Sequence, residues 1–294
     1  MTDDTSRIRE LELEYGCERT ALPSTLARRF VRLGLGEEGR DYLERALTTR
    51  PGRAKTALHR VLRSWMSDFD ANGLLDMYPM YLLGTSQWKE LLGETPGARH
   101  LDVGAGSGEI TRTLSPLASE TVTTEVSKMM ARNLRRAGFR CLRSDLAREE
   151  VPDPPYDLIT CLNVLDRCER PRSLLSNLAR ALAPGGRLVI ATPIPFDAFF
   201  YDGATSRDPV ERLDLPRDSW EPSVARLATT VLEPLGLEVE AISRAPYLCR
   251  GDAERPLYVL DDALFVCRKP VVRTEESAIR LPGGRPDPKS VQSG

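Results

Sequence analysis

Two stretches of this sequence hold residues whose types and spacing can do chemistry. In LDVGAGSGE, Leu101 to Glu109, three glycines at alternate positions (Gly104, Gly106, Gly108) lead from a strand-like run into a helix start. Glycine lets the chain turn sharply and approach a ligand with no Cβ in the way, and the helix start offers free amides. Asp102 lies two residues before the first glycine, and Glu125 falls nineteen positions after Gly106, at the end of the next strand-like run. A carboxylate there can accept hydrogen bonds from both hydroxyls of a ribose. The spacing is GxGxG, whereas dinucleotide dehydrogenases use GxGxxG, and some glycine runs are only turns. The second stretch is NVLDRC, at the end of the strand-like YDLITCL. Asn163 and Asp166 there can face the same way and orient a nucleophile, or can serve as a helix cap and an ion-pair partner of Arg167 or Arg170.

Other candidates carry weaker signals. Asp145, in SDLAREE, suits either the adenine side of a nucleotide or a helix cap. Tyr247 follows Pro246 in PYLCRGD and reads either as loop packing or as a hydroxyl that orients a substrate. Arg244 and Arg250 flank it and could bind a carboxylate, or be solvated. Asp261 and Asp262 sit in a strand-like run and read as a bulge or ladder feature. The two histidines, His59 and His100, read as helix-surface and strand-entry residues. The six cysteines are scattered with no CxxC pair, so no zinc site is expected and they read as reduced core thiols.

These residues need a scaffold. From Arg99, the runs HLDVG, TVTTE, FRCLRS, YDLITCL and RLVIAT alternate with helix-like stretches around 109–117, 128–137 and 173–183. That alternation predicts an α/β fold with a mainly parallel sheet, its chemistry outside the carboxyl ends of the strands. Pro184-Gly185-Gly186 reads as a stop before the strand from Arg187. LGLEVEAISRA and LYVLDDALFVC predict an antiparallel pair at the C-terminal edge. Ahead of the sheet, residues 1–95 read as a helical cover, with helices at 26–33, 41–48 and 54–69. Thr56, Leu58, Val61, Leu62, Trp65 and Met66 give the last an apolar stripe, and Asn72-Gly73 breaks the pattern. A further helix, capped by Thr85 or Ser86, would bring Trp88 near the site. Residues 96–270 make the catalytic domain, and 271–294 read as a disordered tail.

The glycine loop and acidic residues resemble motif I and the acidic loop of class I S-adenosylmethionine-dependent methyltransferases, a Rossmann-like fold of seven strands whose last is reversed. CLNVLDRCERP, APYLCRGD and LYVLDDALFV sharpen this: from about Trp65 to Lys269 the chain resembles the DREV, or methyltransferase-like nine, family of histidine methyltransferases. The resemblance implies S-adenosyl-L-methionine as cofactor and the pros nitrogen of an imidazole as acceptor. It assigns the cofactor to Asp102, Gly104, Ala105, Gly106 and Glu125, and the imidazole to Asn163, Asp166 and Tyr247, with no metal.

Composition narrows the partners. With 41 basic and 43 acidic residues, the formal charge of -2 gives no overall attraction to nucleic acid or an anionic membrane. No apolar run approaches the roughly 20 residues of a membrane span, and the N-terminus is too polar for a secretory signal, which predicts a cytoplasmic protein. Only five of the basic residues are lysine, a bias that suggests a GC-rich, bacterial genome. The expected acceptor is therefore a small histidine derivative, a thio- or selenoimidazole of the ovothiol type. A histidine-containing protein with a His-x-His segment is the alternative, and an inactive cofactor-binding scaffold and O- or carboxyl-methylation of another metabolite are further readings.

Overall fold

In the computed structural model the described residues are 13–271, apart from residues 50, 94, 96, 217 and 218. The expected tail therefore lies almost wholly outside the described residues. Helices α1 (Ser24–Arg29), α2 (Glu37–Thr48), α3 (Arg53–Leu62) and α4 (Asp68–Leu75) come first, then strand β1 (Met80–Tyr81) and α5 (Thr85–Leu92). The alternating region follows: β2 (Arg99–Val103), α6 (Glu109–Leu114), β3 (Glu120–Thr124), α7 (Lys128–Arg136), β4 (Arg140–Leu142), β5 (Tyr156–Leu162), α8 (Pro171–Ala181) and β6 (Leu182–Pro193). A small hairpin, β7 (Phe200–Asp202) and β8 (Thr205–Arg207), precedes α9 (Trp220–Leu227), and β9 (Glu238–Arg250) and β10 (Leu257–Arg268) end the fold.

The main sheet has the order β1-β9-β10-β6-β5-β2-β3-β4. Strands β4, β3, β2, β5 and β6 run parallel, and β10 is antiparallel to both β6 and β9. This is the Rossmann-like class I methyltransferase arrangement with its reversed strand, as the sequence predicts. It gains an eighth strand, because β1 from the N-terminal extension pairs with the outer edge of β9.

Side-chain alternation builds a core on each face. In β6, Leu188 and Ile190 pack with α1, α8 and α9, while Val189 and Ala191 pack with Trp88, Leu91 and Leu92 of α5. Trp88 is fully buried, with its indole N–H donating to Thr113 Oγ1 (3.0 Å), so it belongs to the core and not to the site.

Local competition moves several elements from their expected places. Helix α1 ends at Arg29 because Val31 donates its amide to Ile242 O (2.8 Å), pulling the chain onto the sheet edge. The expected long helix over 54–69 is two, since Ser67 caps α4 by accepting from the Asp70 amide (3.1 Å). The buried face of α3 carries Thr56 and His59, while Leu58, Val61 and Trp65 face solvent, Trp65 at 83% exposure. Polar anchors set that rotation: His59 Nε2 pairs with Asn72 Oδ1 (2.5 Å), and Thr56 Oγ1 accepts from the Ala253 amide (3.3 Å). His59 is thus a buried residue rather than a surface one.

Asn72 and Gly73 lie within α4 instead of breaking it. A Cβ on Gly73 would come 2.9 Å from the Met130 amide nitrogen, so glycine is what lets α4 seat on α7. Neither Thr85 nor Ser86 caps α5; the Gln87 side chain accepts from the Gly84 amide (2.8 Å). Pro184-Gly185-Gly186 lies inside β6, paired with Lys269 through Gly185 N and Gly186 O. The β9–β10 bulge falls at Val266/Cys267 and not at the Asp261-Asp262 pair.

Candidate active site

The glycine loop hangs from the ends of β2 and β3. Gly104 and Ala105 both donate their amides to Thr124 O (2.9 and 3.1 Å), and Gly106 donates to Glu125 Oε2 (3.0 Å). Gly104 has φ +65°, and a Cβ there would lie 2.6 Å from Val164 Cγ2, so no other residue fits. At Gly106 (φ +56°) a Cβ would meet nothing within 4 Å: it would project into open space in the cleft.

Two buried carboxylates support this loop. Asp102 accepts from Thr111 Oγ1 and Thr160 Oγ1, each at 2.6 Å. Burial nevertheless pushes its carboxyl up to about 6, the two hydroxyls opposing the shift. Behind it, His100 Nε2 lies 2.8 Å from Thr160 Oγ1. Burial drives the His100 pKa down to about 3, so the ring is neutral. An ionised Asp102 takes the one Thr160 proton, which leaves Thr160 to accept from His100 Nε2–H and fixes the tautomer. His100 is therefore a supporting residue with no path to a substrate. Glu125 holds the Ser127 amide (2.9 Å) as well as that of Gly106, and burial raises its pKa despite those donors.

The opposite wall is built where β5 ends. Asn163 adopts φ +55°, a conformation asparagine tolerates, with its amide held by Ala191 O (2.9 Å). A single 3₁₀ turn, Leu165–Arg167, then carries Asp166, which is 2% exposed. Arg167 Nη1 sits 2.7 Å from Asp166 Oδ2 while its guanidinium covers the Phe199 ring at 4.0 Å. Burial raises the Asp166 pKa, with Arg167 opposing. Asp166 Oδ1 and Asn163 Oδ1 are buried with no hydrogen-bond partner among the described residues. Tyr247 lies in β9, not in a loop; it is buried and its hydroxyl points at the Met80 sulfur.

Asp102, Gly104, Ala105, Gly106, Glu125, Asn163, Asp166 and Tyr247 all line one cleft of about 220 Å³, roofed by Phe69 of α4 and Met80 of β1. An adjoining cleft of about 650 Å³ shares Gly104, Glu125 and Arg167 and reaches Asp145. Asp145 stands apart from the others. Its Oδ1 accepts from the Ala147 amide (3.1 Å) and its carboxylate pairs with Arg148 (3.4 Å), so it caps a turn in the wall of the outer cleft.

Arg244 and Arg250, which the sequence leaves open between binding a carboxylate and being solvated, do not line the cleft. Arg244 is clamped by Asp261 (2.6–3.1 Å) and lies against Trp220. One residue that sequence reasoning undervalued stands behind the wall: Asp262, fully buried in β10, accepts from Asn163 Nδ2 (3.3 Å). The LDD run in a strand-like segment was its only signal. Among the described residues no group of three His, Cys, Asp or Glu side chains could hold a metal ion. No helix among them is long and apolar enough to cross a membrane.

The residues present fit a nucleoside-bearing cofactor: the open side of Gly106 leaves room for close approach, and Glu125 and Asp102 offer carboxylates on either side of the loop. Among known proteins, a demethylmenaquinone methyltransferase of Tropheryma whipplei is 34% identical over 122 residues, 38% of this chain and 50% of the relative. A ubiquinone biosynthesis O-methyltransferase of Xanthomonas oryzae is 27% identical over 164 residues, 53% of this chain and 66% of the relative. The aligned stretches span half to two-thirds of those relatives. Solved structures that align include the N-methyltransferase NodS of Bradyrhizobium japonicum with S-adenosyl-L-homocysteine (18% identity, 63% of this chain, 85% of that one, TM-score 0.43). A SAM-dependent methyltransferase of Aquifex aeolicus aligns over 72% of this chain and 97% of its own, at 16% identity and TM-score 0.43. The model of one family, described as DREV methyltransferase, matches residues 14–269, from the N-terminal helices through the last strand. A match of that extent takes in both walls of the cleft together with the roof over them, and the chain accordingly belongs to the DREV methyltransferase family, with S-adenosyl-L-methionine as its cofactor.

Proposed function

We propose that this protein is a methyltransferase that acts on a ring nitrogen of an imidazole, the pros nitrogen of a small histidine derivative. The observation that carries the reading is the pair of buried, unpartnered acceptor atoms, Asp166 Oδ1 and Asn163 Oδ1, in the same cleft as the glycine loop. Most buried polar atoms in folded proteins have partners; of the nine side-chain atoms without one among the described residues, these two are the ones whose residues line this cleft, where a ligand that donates would satisfy them.

Bound S-adenosylmethionine supplies an electrophilic methyl group on a sulfonium. Gly104, Ala105 and Gly106, with Asp102, would hold its amino-acid end, Glu125 its ribose, and Asp145 the rim beyond. Asp166 takes the distal N–H of the acceptor ring, which fixes the tautomer and leaves the lone pair of the other nitrogen free. Asn163 and Tyr247 orient the ring. The side chains of Phe69, Met80, Leu162 and Leu260 exclude water from the cleft. Methylation leaves a cationic ring, and Asp166, its pKa raised by burial, is suited to pair with that charge and to accept the N–H proton.

The roofed inner cleft supports a small acceptor over a His-x-His segment of a protein, which would need an open groove. The names of the aligned relatives favour a second reading, O-methylation of a quinone precursor, in which Asp166 would receive a phenolic proton. The test is incubation with methyl-labelled cofactor and three acceptor pools: thio- and selenoimidazoles, His-x-His peptides, and hydroxylated quinone precursors. Label on a ring nitrogen of a small imidazole, located by NMR, is the expected result. Label only on a phenolic oxygen overturns it, and tight S-adenosylhomocysteine binding with no transfer to any pool would mark a scaffold.

A further inference from the structure

Asp262 occupies an improbable place for a carboxylate. It lies in the middle of β10, in register with Pro193 of β6 and Ala245 of β9, is fully buried, and is followed by the apolar run Ala263 to Cys267. Among the described residues only one of its oxygens has a partner: Oδ1 accepts from Asn163 Nδ2 at 3.3 Å, and Oδ2 has none. Burial, and after it the charge of Asp166, hold its carboxyl well above the usual carboxylate range. A buried carboxyl with an open oxygen costs stability, and nothing in the packing of the sheet requires one here.

We propose that Asp262 is a positioning residue that fixes the amide of Asn163 so that its carbonyl, and not its NH₂ group, faces the acceptor. The backbone of Asn163 is already fixed by its own amide bond to Ala191 O, which leaves the side-chain amide as the free variable. A proton held by the buried Asp262 carboxyl falls on Oδ2, because Oδ1 is the oxygen that accepts from Asn163 Nδ2; turning that amide over would then set Asn163 Oδ1 against Asp262 Oδ1, two acceptors in contact within a dry interior. Asp262 therefore makes Asn163 an acceptor. Together with Asp166 Oδ1 it gives the wall two lone-pair-bearing atoms and no donor from these side chains. Such a wall selects a substrate that brings N–H groups, a neutral azole or an amine, and discriminates against one that brings only carbonyl oxygens. The substrate selection rests on the imidazole reading above; the amide orientation does not.

Two measurements separate those layers. Asn72, Asn133, Asn163 and Asn177 are the four asparagines of the chain, so selective ¹⁵N-asparagine labelling resolves the Asn163 side-chain amide, assigned with N163D. In the wild-type protein with S-adenosylhomocysteine, one Asn163 Nδ2 proton should be shifted downfield and protected from exchange, and D262A should abolish both effects. With an imidazole acceptor, D262A should raise the acceptor KM and lower kcat/KM about tenfold. Cofactor affinity by calorimetry should stay within about twofold. D262N, which can pair with the Asn163 amide in either orientation, should recover only part of that loss. An unchanged Asn163 signal in D262A, or D262N with the full wild-type kcat/KM, overturns the assignment. If the wild-type protein methylates no imidazole, the function proposed above falls, while the amide spectrum still decides the role of Asp262.

Discussion

The two walls of the cleft differ in how their buried polar atoms are satisfied. On the glycine-loop side both oxygens of Asp102 accept from threonine hydroxyls and both of Glu125 from backbone amides, and Thr124 Oγ1 is the one buried side-chain atom there without a partner among the described residues. On the β5 side, three oxygens, of Asn163, Asp166 and Asp262, have none. The first wall is rigid before any ligand arrives, which suits a cofactor whose shape never varies. The second keeps open valences at a cost in stability, which suits a group that must be turned and discriminated. The contrast also follows chain distance. The donors to Asp102 and Glu125 lie between two and 58 residues away, whereas Asn163 and Asp262 are 99 apart.

If the walls do separate tasks, single changes should separate them too. The largest expected effect is in D166A, which should lose turnover on the order of 10³-fold while binding S-adenosylhomocysteine within about twofold of wild type. The reverse cross is Gly106→Val: its side chain would fill the open side of the loop, and calorimetry should show about a 100-fold loss of S-adenosylhomocysteine affinity. Parallel losses of turnover and cofactor binding in both variants would erase the division between the walls.

A smaller effect probes the strain within the satisfied wall. Folding raises the Asp102 pKa from its ordinary 3.8 to about 6, so the folded state favours its protonated form. The stability this group lends is full below about pH 4 and is lost as pH rises through about 6, on the order of 2–3 kcal/mol. Asp102→Asn removes that titration. Urea unfolding at about pH 4, 5.5 and 7 should show the variant gaining on wild type as pH rises; parallel curves would count against a protonated Asp102 in the folded apoprotein. The smallest effect belongs to Asp145, half-exposed and occupied in a turn. D145A should weaken cofactor binding no more than about threefold and cost about 1 kcal/mol or less in stability.

How much of this was legible in the sequence follows the same division. The glycine spacing, Asp102 and Glu125 could be read because strand, turn and helix are local and each glycine reports a backbone need of its own. NVLDRC could be read because a strand end announces itself. Asp262 could not, because its meaning depends on β10 folding back beside β6 in one register, which no local pattern specifies. The rotation of α3 was misread for a related reason. Of the expected stripe Thr56 is buried, but Leu58, Val61 and Trp65 face solvent, because the hydrogen bond of Thr56 to Ala253 and that of His59 to Asn72, thirteen and more residues away, turn His59 inward in their place. Arg244 stayed open between a substrate carboxylate and solvent because its partner, Asp261, lies across the hairpin on β10.

The eighth strand carries a consequence for how the molecule keeps to itself. Strand β9 is thirteen residues long, and on its outer side it is covered by β1 at Leu248 and Cys249 and by the chain at Phe30 and Val31 opposite Ile242. The segments ahead of the glycine loop thus act as a selvedge, sealing a margin that would otherwise recruit strands from neighbouring molecules. A chain trimmed to begin after Tyr81 would keep the glycine loop and the β5 wall, yet it would expose a long adhesive seam and be expected to aggregate.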